Sequence, residues 1–523
     1  MKKIFVVVTL AFAAVINAWA QTEISEAELA KRNISRCMAI VDACWNKTMV
    51  GNETYMYMAD TYNTADGKKS GPSDIWPLTA AVEAHCSLLE AIDLARKDDE
   101  SLYAAEREKY QHQLKVIINN LDYYRGSYRR ASYATTARTW QPYAVPRASQ
   151  KGKADVTGIL NVYDDQMWLS REFIRAWRLT GEQDYLDKAV YLADYVLDGW
   201  DCWRDAEGNE YGGITWGPGY NSKHACSNAP MIQPLVWLAE IFADSDETAE
   251  YNYRDVDNKP VSEQRLRSEL YLDFAGRIFD WQHKTLAHPT GVYYDMIGGE
   301  HAQVIYKDGY RQHIATGKPG GDFYSYNTGT MIAGGAELLK ATGDETYAER
   351  VNASVNASLG RFSRYNPTVS SYVLTTDEKA TSGFRTWFND VLLRGIVDAE
   401  QYCTGLARGR ILDGAQTALD YAYEHYNRDG FLPIDLVGGW GDETVTKPFH
   451  QFAFASEYGV LAQRLLKRVA ENASVEQVEA GTVSVNSAVY TLSGTKVGDK
   501  EDVIGSLKPG MYIIGGNKTF VKE

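Results

Sequence analysis

The sequence predicts an (α/α)6 toroid, a ring of six helical hairpins, followed by a small all-β tail. Three observations carry this expectation. From Glu26 onward, long runs place apolar residues at every third or fourth position, the period of a helix with one buried face. These runs fall into two alternating sets. After Arg468 the pattern changes to short β-type segments separated by glycine turns.

The first set of helices opens after loops rich in Trp, Tyr and Gly. Its starts lie near Asp74, Asp164, Asn228, Asn327, Asn389 and His450. All but the last offer an Asp or Asn suited to an N-cap, and Pro230 is tolerated in a first turn. The second set covers about 26–46, 110–125, 183–200, 262–282, 345–363 and 409–427. Two connecting turns share their wording, Leu179-Thr180-Gly181-Glu182-Gln183-Asp184-Tyr185 and Ala341-Thr342-Gly343-Asp344-Glu345-Thr346-Tyr347. In each, Gly ends one helix and an acid starts the next.

The starts are separated by 90, 64, 99, 62 and 61 residues, a period of about 60 with two insertions. Six such hairpins could stack as an open solenoid or close into a ring. A solenoid needs polar helices at its ends. The first helix instead carries Met38, Ile40, Val41 and Trp45, and the last carries Phe452, Phe454, Tyr458 and Leu461. The ring is therefore expected, with the six starts converging on one face.

Met1 to Ala20 reads as a secretory signal: Lys2 and Lys3, an apolar run too short to span a bilayer, then Ala18-Trp19-Ala20. The expected divisions are a signal over 1–20, a catalytic ring over 21–468, a connector over 469–476 and a β tail over 477–523. Removing the signal takes two of the 54 basic residues, leaving 52 against 69 acidic and a net charge of −17. That balance disfavours nucleic acid or an anionic membrane as partner. Six cysteines in 523 residues are too sparse for a disulfide scaffold. Cys37 and Cys44 lie on one expected helix, roughly 10 Å apart, too far to bridge each other.

The tail motifs Tyr490-Thr491-Leu492-Ser493-Gly494 and Leu507-Lys508-Pro509-Gly510-Met511-Tyr512 resemble the C-terminal tails of exported Bacteroidota proteins. The resemblance implies export or cell-surface attachment; a spacer or stability module fits equally.

Chemistry concentrates in Tyr163-Asp164-Asp165-Gln166-Met167-Trp168. Two adjacent carboxylates repel one another and are a liability unless they are used. Capping and the helix dipole are one use; glycoside hydrolysis, which needs two carboxyl groups of different protonation, is another. Aromatic side chains interleaved with amides suit sugar rings. Trp76, Trp203, Trp216 and Trp440 stand beside helix starts or glycines and are candidate platforms, whereas Trp177 and Trp237 have core spacing. Tyr220, His224, Asn228, Tyr326 and Asn327 complete the candidate cleft.

Three motifs in order resemble glycoside hydrolase family 76: the Asp164-Asp165 segment, Tyr211-Gly212-Gly213-Ile214-Thr215-Trp216 leading to Lys223-His224-Ala225-Cys226-Ser227-Asn228, and Tyr326-Asn327-Thr328-Gly329. The likeness spans roughly residues 26–468. It implies a ring fold, endo-acting α-1,6-mannanase activity with retention, and no cofactor. Asp164 would be the nucleophile, Asp165 the general acid/base, α-mannan the polysaccharide partner, and the working unit a monomer. Two positions depart from the pattern: His224 stands where Asn is expected, and Thr328 where Gln is expected.

Other readings make different demands. An unsaturated-uronide hydrolase or polysaccharide lyase on a similar ring would want basic groups in the cleft, and the loops offer Lys223, His224 and Arg385. A glycan-binding protein without catalysis would not need both acids. Asp255-Val256-Asp257-Asn258 has carboxylates but lacks the Gly and distal Glu of a calcium loop.

Overall fold

The computed structural model describes residues 24–97, 99–298, 303–376, 383–480, 488–491, 495–499, 503, 507–508, 510–514 and 517–521. The expected signal lies outside these residues, as do Leu492, Ser493, Gly494 and Pro509 of the tail motifs. Two units divide the chain: 34–461, and 1–33 with 462–523.

Among the described residues there are twelve α-helices, and they alternate as the sequence predicts. Six form an outer set: α1 (Glu26–Thr48), α3 (Ala104–Asn120), α5 (Gln183–Leu197), α7 (Arg267–Leu286), α9 (Thr346–Phe362) and α11 (Ala407–Tyr426). The inner set is α2 (Ile75–Ala95), α4 (Tyr163–Thr180), α6 (Ile232–Ile241), α8 (Ser325–Thr342), α10 (Arg385–Asp398) and α12 (Pro448–Ala480). Inner helices are buried almost all round; along α2 this includes Leu78, Val82, Leu88 and Ile92. A helix enclosed on every side needs no polar stripe.

Contacts run from each inner helix to the next. The closest crossing joins α8 to α10, where a Cβ on Gly395 would lie 2.4 Å from the Gly329 carbonyl oxygen. Only glycine permits that approach. The ring closes through α12: His450 Nδ1 lies 2.7 Å from Thr386 Oγ1 of α10, and Ser456 Oγ lies 3.1 Å from Ser87 Oγ of α2. A solenoid would leave those two helix faces apart. Gly181 and Gly343 end α4 and α8 in the left-handed conformation, both at φ 71°.

Both long intervals hold irregular structure. The first, between α3 and α4, contains the pair Tyr128–Arg130 and Arg138–Trp140. The second adds strands to the ring. β1 (Lys223–His224) precedes α6, and β2 (Thr248–Arg254) and β3 (Pro260–Leu266) form a hairpin after it. β4 (Met296–Ile297) and β5 (Pro319–Gly320) follow α7 and complete an antiparallel sheet of order β5-β4-β1. The helix expected over 262–282 therefore starts five residues later, because 262–266 is paired in β3. The Asp255–Asn258 segment is the turn of this hairpin. The Asp255 carboxylate accepts the backbone N–H groups of Asp257 and Lys259, and Asn258 sits at φ 60°.

The other unit contains an antiparallel sheet of β6 (Ala488–Thr491), β7 (Lys496–Asp499), β8 (Gly510–Ile514) and β9 (Asn517–Val521), in the order β7-β6-β8-β9. The expected connector over 469–476 is instead continuous helix within α12. Its Val, Ala, Glu, Asn and Ser residues include no Pro or Gly to stop propagation. All six cysteines are buried free thiols. Among the described residues, no helix is long and apolar enough to cross a membrane.

Candidate active site

Of the expected caps, Asp164, Asn327 and Asn389 sit inside their helices. Asp74 is the N-cap residue of α2 but makes no capping hydrogen bond. α4 begins one residue before the acids, with Val162 in the cap position and the Tyr163 N–H bonded to the Trp216 carbonyl. Asp164 and Asp165 are thus the second and third residues of the first turn, where free N–H groups and the helix dipole favour negative charge. Gln166 holds this end in place. Its amide bonds both the N–H and the C=O of Tyr143, at 2.9 and 2.8 Å, and also the Val162 carbonyl.

The two carboxyls differ in their surroundings. Asp164 is half-buried, and its Oδ2 accepts a hydrogen bond from Trp216 Nε1 at 3.3 Å. Its Oδ1 is enclosed without a hydrogen-bond partner among the described residues. Burial pushes the Asp164 carboxyl up to about 6, while donation from Cys226 and Trp216 draws it back. Asp165 is only 6% exposed. Burial raises its carboxyl well above the usual range, and the charges of Asp164 and Asp74 raise it further. The pair therefore holds its shared proton on Asp165.

The loop before α6 supplies one wall. Trp216 stacks on His224 with centroids 4.7 Å apart, and Tyr220 packs against it at 4.6 Å. His224 is buried in β1 beside Ser222, and burial pushes its imidazole down to about 4, so it is neutral. Its Nδ1 lies 4.0 Å from Asp295 Oδ2. Asp295 reaches this position because β1 pairs with β4, whose first residue follows it in sequence. Asn327, in the first turn of α8, donates to Asp295 Oδ1 at 3.1 Å, and its own Oδ1 has no partner among the described residues. Thr328 follows with its hydroxyl buried and likewise unpartnered.

The opposite side is aromatic. Tyr326 stacks on Phe388 at 4.0 Å, and Trp76 lies against Phe384, Phe388, Trp387 and Phe449. Cys226 hydrogen-bonds both Tyr326 and Asp164, linking this bed to the acids.

Three expected site residues serve packing instead. Trp203 donates to the Arg311 carbonyl and has Arg254 over its ring at 3.7 Å. Asn228 is fully buried and pins the loop, bonding the Ile214 backbone and the His224 carbonyl. Trp440 is 5% exposed, donates to the Tyr426 carbonyl and is covered by Arg428. The Trp440 ring is enclosed and leaves no surface for a sugar, whereas Trp203 is half-buried with one face under Arg254. Asp295 and Asp74 are the acids that the expected site lacked. Tyr293-Tyr294-Asp295 repeats the aromatic-then-acid wording of Tyr163-Asp164, which was the available signal.

Residues 264–428, from the end of β3 through α11, match the model of glycosyl hydrolase family 76. The matched segment holds Asp295, Tyr326 and Asn327 but not the two acids. No curated protein matches the chain. Solved family 76 structures share its fold. A mannosidase from Bacteroides thetaiotaomicron is 19% identical over 84% of this chain and 99% of its own, with a TM-score of 0.59. An α-mannanase of family 76 from the same species is 17% identical, covering 84% and 96%, at 0.54. An α-1,6-mannanase from a Salegentibacter species, with α-1,6-mannotriose bound to a variant inactivated at two consecutive aspartates, is 18% identical over 83% and 99%, at 0.53.

Proposed function

We propose that the protein is a retaining endo-α-1,6-mannanase with Asp164 as nucleophile and Asp165 as general acid/base. The observation that carries this reading is the asymmetry of the pair: one carboxyl is held by a Trp donor, and the other is kept protonated by burial and its neighbour's charge. The Salegentibacter mannanase, inactivated at two consecutive aspartates, supports it.

In the first step the Asp164 carboxylate attacks the anomeric carbon while the glycosidic C–O bond breaks. Asp165 gives its proton to the departing oxygen. The Trp216 donor at Asp164 Oδ2 holds that carboxylate in place. Once Asp164 is esterified its charge is gone, so the Asp165 carboxyl becomes a stronger acid and stays ionised. It then takes a proton from water as the water oxygen bonds the anomeric carbon and the ester bond to Asp164 breaks. Two displacements restore the α configuration.

The substrate is neutral, and the cleft agrees. Lys223 is ion-paired with Asp201 at 2.8 Å and His224 is uncharged, so neither attracts a uronate. Digestion of linear α-1,6-mannan, with product sizing and proton NMR of the first anomer released, tests the reading. A ladder of oligosaccharides in the α form is expected; release of mannose alone, of the β anomer, or of nothing would overturn it. The same reading makes the enzyme a monomer, since one chain supplies the ring and both acids; light scattering after gel filtration tests this. Export, expected from Met1 to Ala20, fits a polymer substrate, and the N-terminus of protein recovered outside the cytoplasm tests cleavage there.

A further inference from the structure

A cavity of about 500 Å³ opens in the wall of the ring, lined by α10, α11, α12, the strands 363–366 and 371–374 and the loop 434–437. Neither Asp164 nor Asp165 lines it. Trp387 and Phe388 of α10 turn toward the aromatic bed of the catalytic cleft, whereas Thr386 and Asn389 of the same helix line the cavity. Its volume lies within the range of small-molecule sites, roughly 300–1,000 Å³.

The lining grades from wet to dry. Tyr365 is 58% exposed, and Arg364 and Asp435 are exposed beside it, which places them at the mouth. Phe454, Ala415 and Ala418 are buried, and the two alanines leave the space that larger side chains on α11 would fill. Glu457, only 4% exposed, also lines the cavity. It makes no hydrogen bond or ion pair with any described residue, and a buried polar group without a partner is costly unless a ligand or water satisfies it.

The chemistry narrows the ligand class. Burial pushes the Glu457 carboxyl up to about 8, so at neutral pH it is an uncharged group with one donor and acceptor lone pairs. Arg364 Nη1 donates to the carbonyls of Gly360 and Ser363, and the exposed Asp435 carboxylate at the same mouth disfavours an anion. A single protonated carboxyl does not build a cation site. What remains is a neutral polyhydroxylated molecule with one apolar face, for which an exposed tyrosine ring is a fitting platform.

We propose that this cavity is a second saccharide site, which takes one or two neutral sugar units between the Glu457 carboxyl at its floor and the ring of Tyr365 at its mouth. The proposal does not depend on the roles given to Asp164 and Asp165.

Hydrogen–deuterium exchange on the full-length protein tests it, with methyl α-mannoside, methyl β-glucoside and methyl β-galactoside as probes at millimolar concentration. Peptides covering 363–376 and 432–438 are expected to slow with at least one probe, in the wild type and equally in Trp216→Ala, which disables the catalytic cleft. Tyr365→Ala and Glu457→Leu are expected to lose that protection. Tyr365 is exposed, so its variant folds even if the buried change does not. Absence of protection with all three probes, loss of protection in Trp216→Ala, or its persistence in Tyr365→Ala would overturn the proposal.

Discussion

The first turn and the middle of helix α4 bury ionisable groups to a similar degree and treat them in opposite ways. At the N-terminal end Asp165 has no cation beside it, and its carboxyl stays protonated. Two turns later Arg171, Glu172 and Arg175 are as deeply buried, yet every charge has a partner. Arg175 contacts Glu172 at 2.8 Å and Glu90 at 2.7 Å, while Arg171 contacts Glu172 and donates to Gln233 at 3.0 Å. The comparison teaches where the molecule spends stability. Paired charges hold the inner helices in register, while at the reacting pair an acid is left without a cation beside it.

The comparison breaks most visibly at Asp164. Replacing Asp164 by Asn should lower turnover on mannan and on activated glycosides alike, on the order of 10⁴-fold or more, with the fold intact. Asp165→Asn should cost about 10²–10⁴-fold on mannan. On a substrate with a good leaving group it should still form the glycosyl-enzyme, and added azide should release it as an α-glycosyl azide. Azide rescue of the Asp164 variant with retention would exchange the two roles.

In the middle of the helix the effect should appear in stability. Arg175→Ala takes from Glu172 one of its two arginines and from Glu90 a partner, and up to about 3 kcal/mol of unfolding free energy should be lost in denaturant titration, with turnover per folded molecule kept. Asp165→Asn should instead leave the melting temperature unchanged or higher. If both variants destabilise equally, the contrast between the first turn and the middle of the helix is wrong.

A smaller effect follows from proton linkage. Both acids have raised carboxyls, so the folded state holds protons that the unfolded chain would release. Their contribution favours folding at low pH and is lost as pH rises from about 4, through about 6 for Asp164 and beyond that for Asp165. Melting curves across this window should show the wild type losing stability relative to the double Asn variant. The smallest effect belongs to the tail. Ending the chain at Ala480 should leave turnover unchanged, because every candidate catalytic residue precedes that point; a marked loss in a folded truncation would show that 481–523 shapes the cleft.

Local features were legible in the sequence. The shared Gly181 and Gly343 turns, the alternation of two helix sets and the Asp164-Asp165 pair are each written in a few consecutive residues. What was not legible depends on distant pairing. Asp295 enters the site through the β1–β4 register, and Asp74 acts on Asp165 across two inner helices. Trp203 and Trp440 look like platforms until Arg254 and Arg428, 51 and 12 residues away in the chain, are seen over their rings. The segment 262–266 carries a helical period but is captured by Thr248–Arg254 in a hairpin. The run 469–476 is polar enough for a linker and still continues a helix that is already nucleated.

The six buried thiols give the molecule a built-in gauge of its own opening. Burial raises Cys37, Cys44, Cys86 and Cys226 far above the range in which a thiolate forms at neutral pH, and Cys403 to about 11. An alkylating reagent therefore finds almost no nucleophile while the ring is closed. Each thiol that reacts marks a helix that has come away from its neighbours. Cys44 and Cys86 report on α1 and α2, and Cys226 on the loop that carries Trp216. The order of labelling in mild denaturant reads out which part of the ring yields first, without adding a probe to the chain.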